Sequence, residues 1–174
     1  MTPIEGSKAL FVTEDPLDAI AHSQLFPGAR YAYLCTGGTS TKAQREMIHS
    51  FSQKFKLPII LGNDNDLAGQ LENFKLAYHT ANIEYAINSK TQRVLLTVNG
   101  AEREWGKDEI VAALQAVMKQ RPNMILSIPW AKDWNDDLRS SKKSISLRIA
   151  ENMVRAQIET TKSEQRGMIA GKLP

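Results

Sequence analysis

A chain of 174 residues has room for one domain of ordinary size and too little for two sizeable ones. With 42% hydrophobic and 24% charged residues it can bury a core, which excludes a disordered or collagen-like protein, and its single cysteine, Cys35, excludes an intramolecular disulfide and a cysteine-cluster zinc site. The 22 Lys and Arg against 19 Asp and Glu leave a formal net charge of +3, too little to grip a polyanion in bulk, so a nucleic-acid partner would have to be held by local placement.

After a short polar lead, KALFVT (8–13) reads as a strand, and Glu14 stands at the junction with a helix that Asp15 caps and Pro16 begins. That helix is expected to run to about Leu25, where Phe26-Pro27-Gly28 stops it. YAYLCT (31–36) is a second strand that opens into the permissive Gly37-Gly38-Thr39 loop. A helix from near Thr41 carries Met47, Ile48, Phe51 and Phe55 at helical spacing. LPIILG (57–62) is a nearly continuous apolar run, as in a strand buried on both faces, and it delivers the chain to Asn63-Asp64-Asn65-Asp66. A third helix is expected over Leu67 to about Ala81, and IEYAIN (83–88) is another strand. Strand and helix alternating in this way predict a mainly parallel sheet with helices on both faces.

From about 90 to 121 the pattern changes. VLLTV and AEREW flank Asn99-Gly100, the two-residue link of a type I′ hairpin, and Ile110, Val111, Leu114, Val117 and Met118 then mark an amphipathic helix that Pro122 ends. MILSI (124–128) returns to the sheet, PWAKDWNDDL (129–138) is a loop, and an amphipathic helix is expected over about 144–166. No apolar run approaches the roughly 20 residues of a membrane span, and MTPIEGSK lacks the apolar stretch of a secretory signal, so a cytoplasmic protein off the membrane is expected.

Acids fall at the predicted carboxyl ends of strands, where open α/β sheets place their ligand crevices: Glu14 after the first, Asp64 and Asp66 after the third, Asp133 and Asp136 after the last. If residues 64–66 continue the extended run, the period of two puts both aspartates on one side, where their repulsion calls for a shared proton or a divalent cation. Hard oxygen donors without histidine or cysteine select Mg²⁺ or Mn²⁺ over zinc. Each member has a plainer reading: Asp-Asn-Asp as a surface turn, Glu14 and Asp18 as helix-start acids, Gly37-Gly38 as a tight turn, Asp133 and Asp136 as a cap. Gly37, Gly38 and Thr39 could offer backbone N–H groups to a phosphate. Lys42, Arg45, Lys132, Arg139, Lys142 and Lys143 supply a basic track, and Trp130 and Trp134 are either core or surfaces on which a base could stack.

The conjunction of ALFVTEDPLDAIAH (9–22), YLCTGGT (33–39), IILGNDNDLAGQ (59–70) and KDWNDDL (132–138) resembles the Toprim domain of bacterial primases, type IA and type II topoisomerases, OLD-family nucleases and recombination mediators. It is most similar to the primase-like Toprim domains of plasmid and other mobile-element proteins. The resemblance implies a Rossmann-like α/β fold, Glu14 as general acid or base, Asp64 and Asp66 as metal ligands, and Asp18 as a further acid beside Glu14. It makes Asp133 the first acid of a closing Asp-x-Asp loop, with Asn135 or Asp136 in the second place.

A single domain over 1–174 is expected, with its core at about 8–138 and the insertion at about 90–121. The implied function is Mg²⁺- or Mn²⁺-dependent action on nucleic-acid phosphodiesters, DNA foremost, by primase-like nucleotidyl transfer or nuclease-like hydrolysis. The chain reads as a fragment of a larger mobile-element DNA-processing polypeptide. The alternative is a non-catalytic module that docks nucleic acid or protein.

Overall fold

The computed structural model of the chain describes residues 5–140; the helix expected over about 144–166, like Lys142 and Lys143, lies outside them. Strand β1 (Ala9–Thr13) is buried at all five positions, as its unbroken apolar run demands. Asp15 caps α1 (Pro16–Leu25), its Oδ1 accepting the Leu17 N–H at 2.6 Å, and Pro16 sits where no N–H is needed. Strand β2 (Tyr31–Cys35) leads to α2 (Lys42–Phe55), entered through a capping box between Thr41 and Gln44. Strand β3 (Ile59–Leu61) leads to α3 (Leu67–Ala77), which ends before Ala81 because the chain turns at Tyr78, whose carbonyl accepts the Ala81 N–H.

These three strands and β7 (Met124–Leu126) form an all-parallel sheet in the order β2-β1-β3-β7, so all four carboxyl ends share one edge. On one face Ala21 and Leu25 of α1 pack with Trp134 of α5 (Trp134–Arg139). On the other, Ile48 of α2, Leu71 and Phe74 of α3, and Ile110 and Leu114 of α4 (Lys107–Gln120) form the larger cluster. The helices that follow the adjacent strands β1 and β3 therefore leave on opposite faces, which opens a crevice between the two strand ends.

Residues 83–106 form a second, antiparallel sheet of β4 (Ile83–Asn88), β5 (Arg93–Val98) and β6 (Ala101–Gly106). Asn99 and Gly100 turn the hairpin with φ of 50° and 86°, both positive as a type I′ turn requires. One expectation changes here. IEYAIN does not extend the parallel sheet but pairs antiparallel with β5, from Ile83 opposite Val98 to Asn88 opposite Arg93. Ile83, Tyr85 and Ile87 alternate with polar or small residues, as in an antiparallel strand with one apolar face, but at this sheet edge only Ile83 packs against the core while Tyr85 and Ile87 stay exposed. Val94 and Leu96 of β5 join the cluster that includes α3, and every residue of α3 except Ala68 is buried. The expected stripe on α2 also shifts: Ile48 is buried but Met47 and Phe55 are exposed, because the inner line runs through Arg45, Ile48, His49 and Ser52.

His22, expected to be ordinary packing, is buried with its ring 4.0 Å from Phe11 and 4.7 Å from Trp134 and its Nδ1 3.0 Å from the Tyr33 hydroxyl. Burial pushes its pKa down to about 3. A base whose folded pKa lies below its unfolded value, about 6.5, gives stability that is complete above 6.5 and lost as pH falls toward 3. Measured in urea at pH 7.5 and pH 5, the stability of the wild type relative to His22→Phe is expected to drop by about 2 kcal/mol at the lower pH. A difference that ignores pH would contradict burial of the neutral ring.

Candidate functional site

Each parallel strand carries one segment to the common edge. Glu14 follows β1 directly and is half-buried; Asp18, one turn on, is buried against the crevice wall. Beyond β3, Gly62 and Asn63 lead to Asp64. Beyond β7, the loop before α5 supplies Lys132 and Asp133. Glu14, Asp18, Asp64, Asp133, Lys132, Gly37 and Gly38 all line one crevice of about 540 Å³, together with Asn135 and the start of α1.

The centre of the crevice is a pair of carboxyls. Asp18 and Asp64 are in hydrogen-bonding contact, and Asp18 Oδ1 also accepts the Asn135 N–H at 3.2 Å. Burial, with the charges of Asp18, Asp66 and Asp133, raises the Asp64 pKa to about 7, against the opposing pull of Lys132. Asp64 is therefore only partly ionised near neutrality. Asp18 is itself raised above the ordinary carboxylate range, by burial first, while the Asn135 N–H opposes the shift. Glu14 is raised too, by burial and then by Glu72, Asp66, Asp15 and Asp18.

Other candidates stand apart from the crevice wall. Strand β3 ends at Leu61, and Asp64 and Asp66 lie in the segment that joins it to α3. Asp66 instead caps α3, its Oδ1 accepting the Gly69 N–H at 2.9 Å and its Oδ2 lying 3.8 Å from Lys132 Nζ; it reaches Glu14 and Asp64 through its charge. Asp136 lies in the first turn of α5 outside the lining, with its N–H donated to Asp133 Oδ1 at 2.7 Å, and Asn135 takes the position facing Asp18. Thr39 is exposed beyond the lining, and the Gly37 N–H is taken by the Glu14 carbonyl at 2.9 Å, which ties the loop to the end of β1. Gly37 and Gly38 have φ of 70° and 116°, conformations side chains seldom adopt. Trp134 is 2% exposed and donates its indole N–H to the Gly62 carbonyl at 2.8 Å, so it stacks on no base, whereas Trp130 is exposed.

Several supporting residues escape a reading by spacing. Glu72 on α3 is buried, accepts the Ser40 N–H and hydroxyl at 3.0 and 2.8 Å, and pairs with Lys75 at 2.5 Å, which links the loop after β2 to α3 beside Glu14. A lysine on the inner stripe of a helix needs a buried carboxylate partner, and Glu72 three residues earlier is that partner. Asp137, 2% exposed, accepts the N–H groups of Trp130 and Ala131 at 2.7 and 2.6 Å and shapes the loop that presents Lys132. Lys107, first residue of α4, bonds the Asn65 carbonyl and side-chain oxygen at 3.3 Å, so the insertion braces the acidic loop. A Cβ on Gly69 would overlap the backbone of Asp64, which is why the loop can close onto the start of α3 only with glycine there.

The donor chemistry fits a hard divalent cation. Among the described residues no three His, Cys, Asp or Glu side chains are grouped so that they would hold a metal ion unaided. The crevice offers the Asp18–Asp64 pair, with further acids acting by charge. That suits Mg²⁺, which is commonly bound through one or two carboxylates and completes its shell with water and substrate phosphates.

Neither the curated proteins nor the solved structures include a match to the chain. Residues 11–94 match the family model described as Toprim-like; the stretch holds Glu14, Asp18, Gly37, Gly38, Asp64 and Asp66 and stops short of Lys132 and Asp133. That stretch, which holds β2 and β3 and most of β1 of the parallel sheet, is thus similar to the Toprim domain, a module that in general binds metal through acidic residues and acts on nucleic acids.

Proposed function

We propose that the crevice binds Mg²⁺ or Mn²⁺ and performs phosphoryl transfer on a nucleic-acid backbone, DNA foremost. The observation that carries this reading is the contact of Asp18 with Asp64 at the junction of β1 and β3, with Glu14 on the same wall. Asp64 and Asp18 would hold the cation, and Asp66 and Asp133 would add negative charge around it. When bound, the ion neutralises charge on the phosphate oxygens. Glu14, kept protonated to higher pH than an ordinary carboxyl, is suited to give or take the proton of a leaving or attacking hydroxyl. Lys132, whose side chain is 62% exposed on the crevice rim, can reach a phosphate.

The KDWNDDL stretch supports a finer reading, a primase-like part of a larger cytoplasmic DNA-processing polypeptide of mobile-element type. Among the described residues no helix is long and apolar enough to cross a membrane. The test is incubation of the chain and Glu14→Gln with labelled single-stranded and duplex DNA and RNA in Mn²⁺, with and without nucleotides. Turnover is expected to fall about 10²- to 10⁴-fold in the variant while binding persists. Turnover equal in both removes Glu14 from the mechanism, and binding without any turnover by the wild type favours a docking module.

A further inference from the structure

Trp130 is 70% exposed, in contrast to Trp134 four residues later, which is buried in the core. A bare indole on a loose loop would mean little, but this turn is fixed. Both Trp130 and Ala131 donate their N–H groups to the buried Asp137 carboxylate, and Pro129 before them is buried. Two residues on, the Lys132 carbonyl accepts the Asn65 N–H at 2.7 Å, and its side chain lines the crevice. Two residues span at most about 7 Å, so one fixed turn carries the exposed indole within that backbone distance of a lysine that lines the crevice.

We infer that Trp130 is a stacking platform for an unpaired base, which makes single-stranded nucleic acid the substrate class of the crevice; the inference rests on the phosphodiester reading above. A base in a duplex has both faces covered by its neighbours, whereas an unpaired base leaves a face for the indole. Because Asp137 holds the turn before any ligand arrives, little order is lost on binding. The basic residue beside it favours a nucleic acid over an apolar peptide.

The test uses the full chain and three probes: a short oligothymidylate, an abasic strand of the same length, and a blunt duplex. Trp130→Leu is expected to weaken oligothymidylate binding by about 5- to 150-fold, with Trp130→Phe keeping most of the affinity. Abasic and duplex binding should not change in either variant, since neither probe offers a free base. Equal losses on all three probes, or no loss on oligothymidylate, would overturn the inference. Should the indole instead pack against protein, Trp130→Leu would melt lower and bind oligothymidylate as the wild type does, which overturns it as well. A wild type that binds none of the probes would defeat the phosphodiester reading too, whereas binding that ignores Trp130 defeats the stacking role alone.

Discussion

Asp64→Asn is expected to bind Mn²⁺ at least about 100-fold more weakly than the wild type and yet to unfold at a higher temperature at pH 8. Both effects follow from crowding Asp64 among other carboxylates at one crevice. Asp64 titrates near 7 in the folded chain and near 3.8 when unfolded, because burial, Asp18, Asp66 and Asp133 all oppose its charge. A carboxyl whose folded pKa is raised favours the folded state fully below the unfolded pKa and loses that contribution as pH rises through 7. At pH 8 the folded chain therefore carries an unfavourable charge that asparagine lacks. The full shift would correspond to roughly 4 kcal/mol, and the partial exposure of the crevice brings the expected gain down to about 1–2 kcal/mol. Thermal melts should show the gap between variant and wild type narrowing at pH 5. A destabilised Asp64→Asn at pH 8 would mean that Asp64 is a structural residue and not a held-in-reserve ligand.

Trp134→Ala is expected to cost about 3–5 kcal/mol, read from urea midpoints at constant m-value. The indole sits 5.9 Å from the Phe11 ring, 4.7 Å from His22 and 6.2 Å from Phe26, and it joins α5 to α1 and to the strands beneath. Its N–H satisfies the Gly62 carbonyl just beyond β3. Removing it opens a cavity and leaves that carbonyl without its partner, so Trp134→Phe should recover much of the packing and none of the hydrogen bond. A cost below about 1 kcal/mol for the alanine variant would show that the site can collapse and that the α5 loop is not anchored by this residue. Because Asp133 precedes Trp134 in the chain, the same variant should also loosen the crevice wall.

Most of the architecture was legible because hydrophobic runs and punctuation act locally. Asp15-Pro16, Thr41 with Gln44, and Asn99-Gly100 each specify a cap or a turn with their own side chains or φ angles, and each is found where the sequence puts it. The partner of a strand is not local. IEYAIN reads as a strand by its content, but only its alternation, set against the unbroken LPIILG, points to a one-sided antiparallel sheet.

The acidic edge was legible in the same partial way. Strand ends predict that Glu14, Asp64 and Asp133 share an edge, and the crevice lining includes all three. Spacing alone suggested a pairing of Asp64 with Asp66; Asp66 uses a carboxylate oxygen to cap α3 and acts on Asp64 through its charge, while Asp64 contacts Asp18. Glu72 and Lys107 act across the fold, on Ser40 and Asn65, and long-range pairs of that kind leave little trace in a single sequence.

The most direct test is an anomalous difference map from crystals of the full chain soaked in Mn²⁺, alongside crystals of Asp64→Asn. A peak bridging Asp18 and Asp64, with Glu14 on the same crevice wall and no peak in the variant, is the predicted result. Mn²⁺ bound elsewhere, an equal peak in Asp64→Asn, or a Glu14 turned away from the two aspartates would contradict a shared cation site at the ends of β1 and β3.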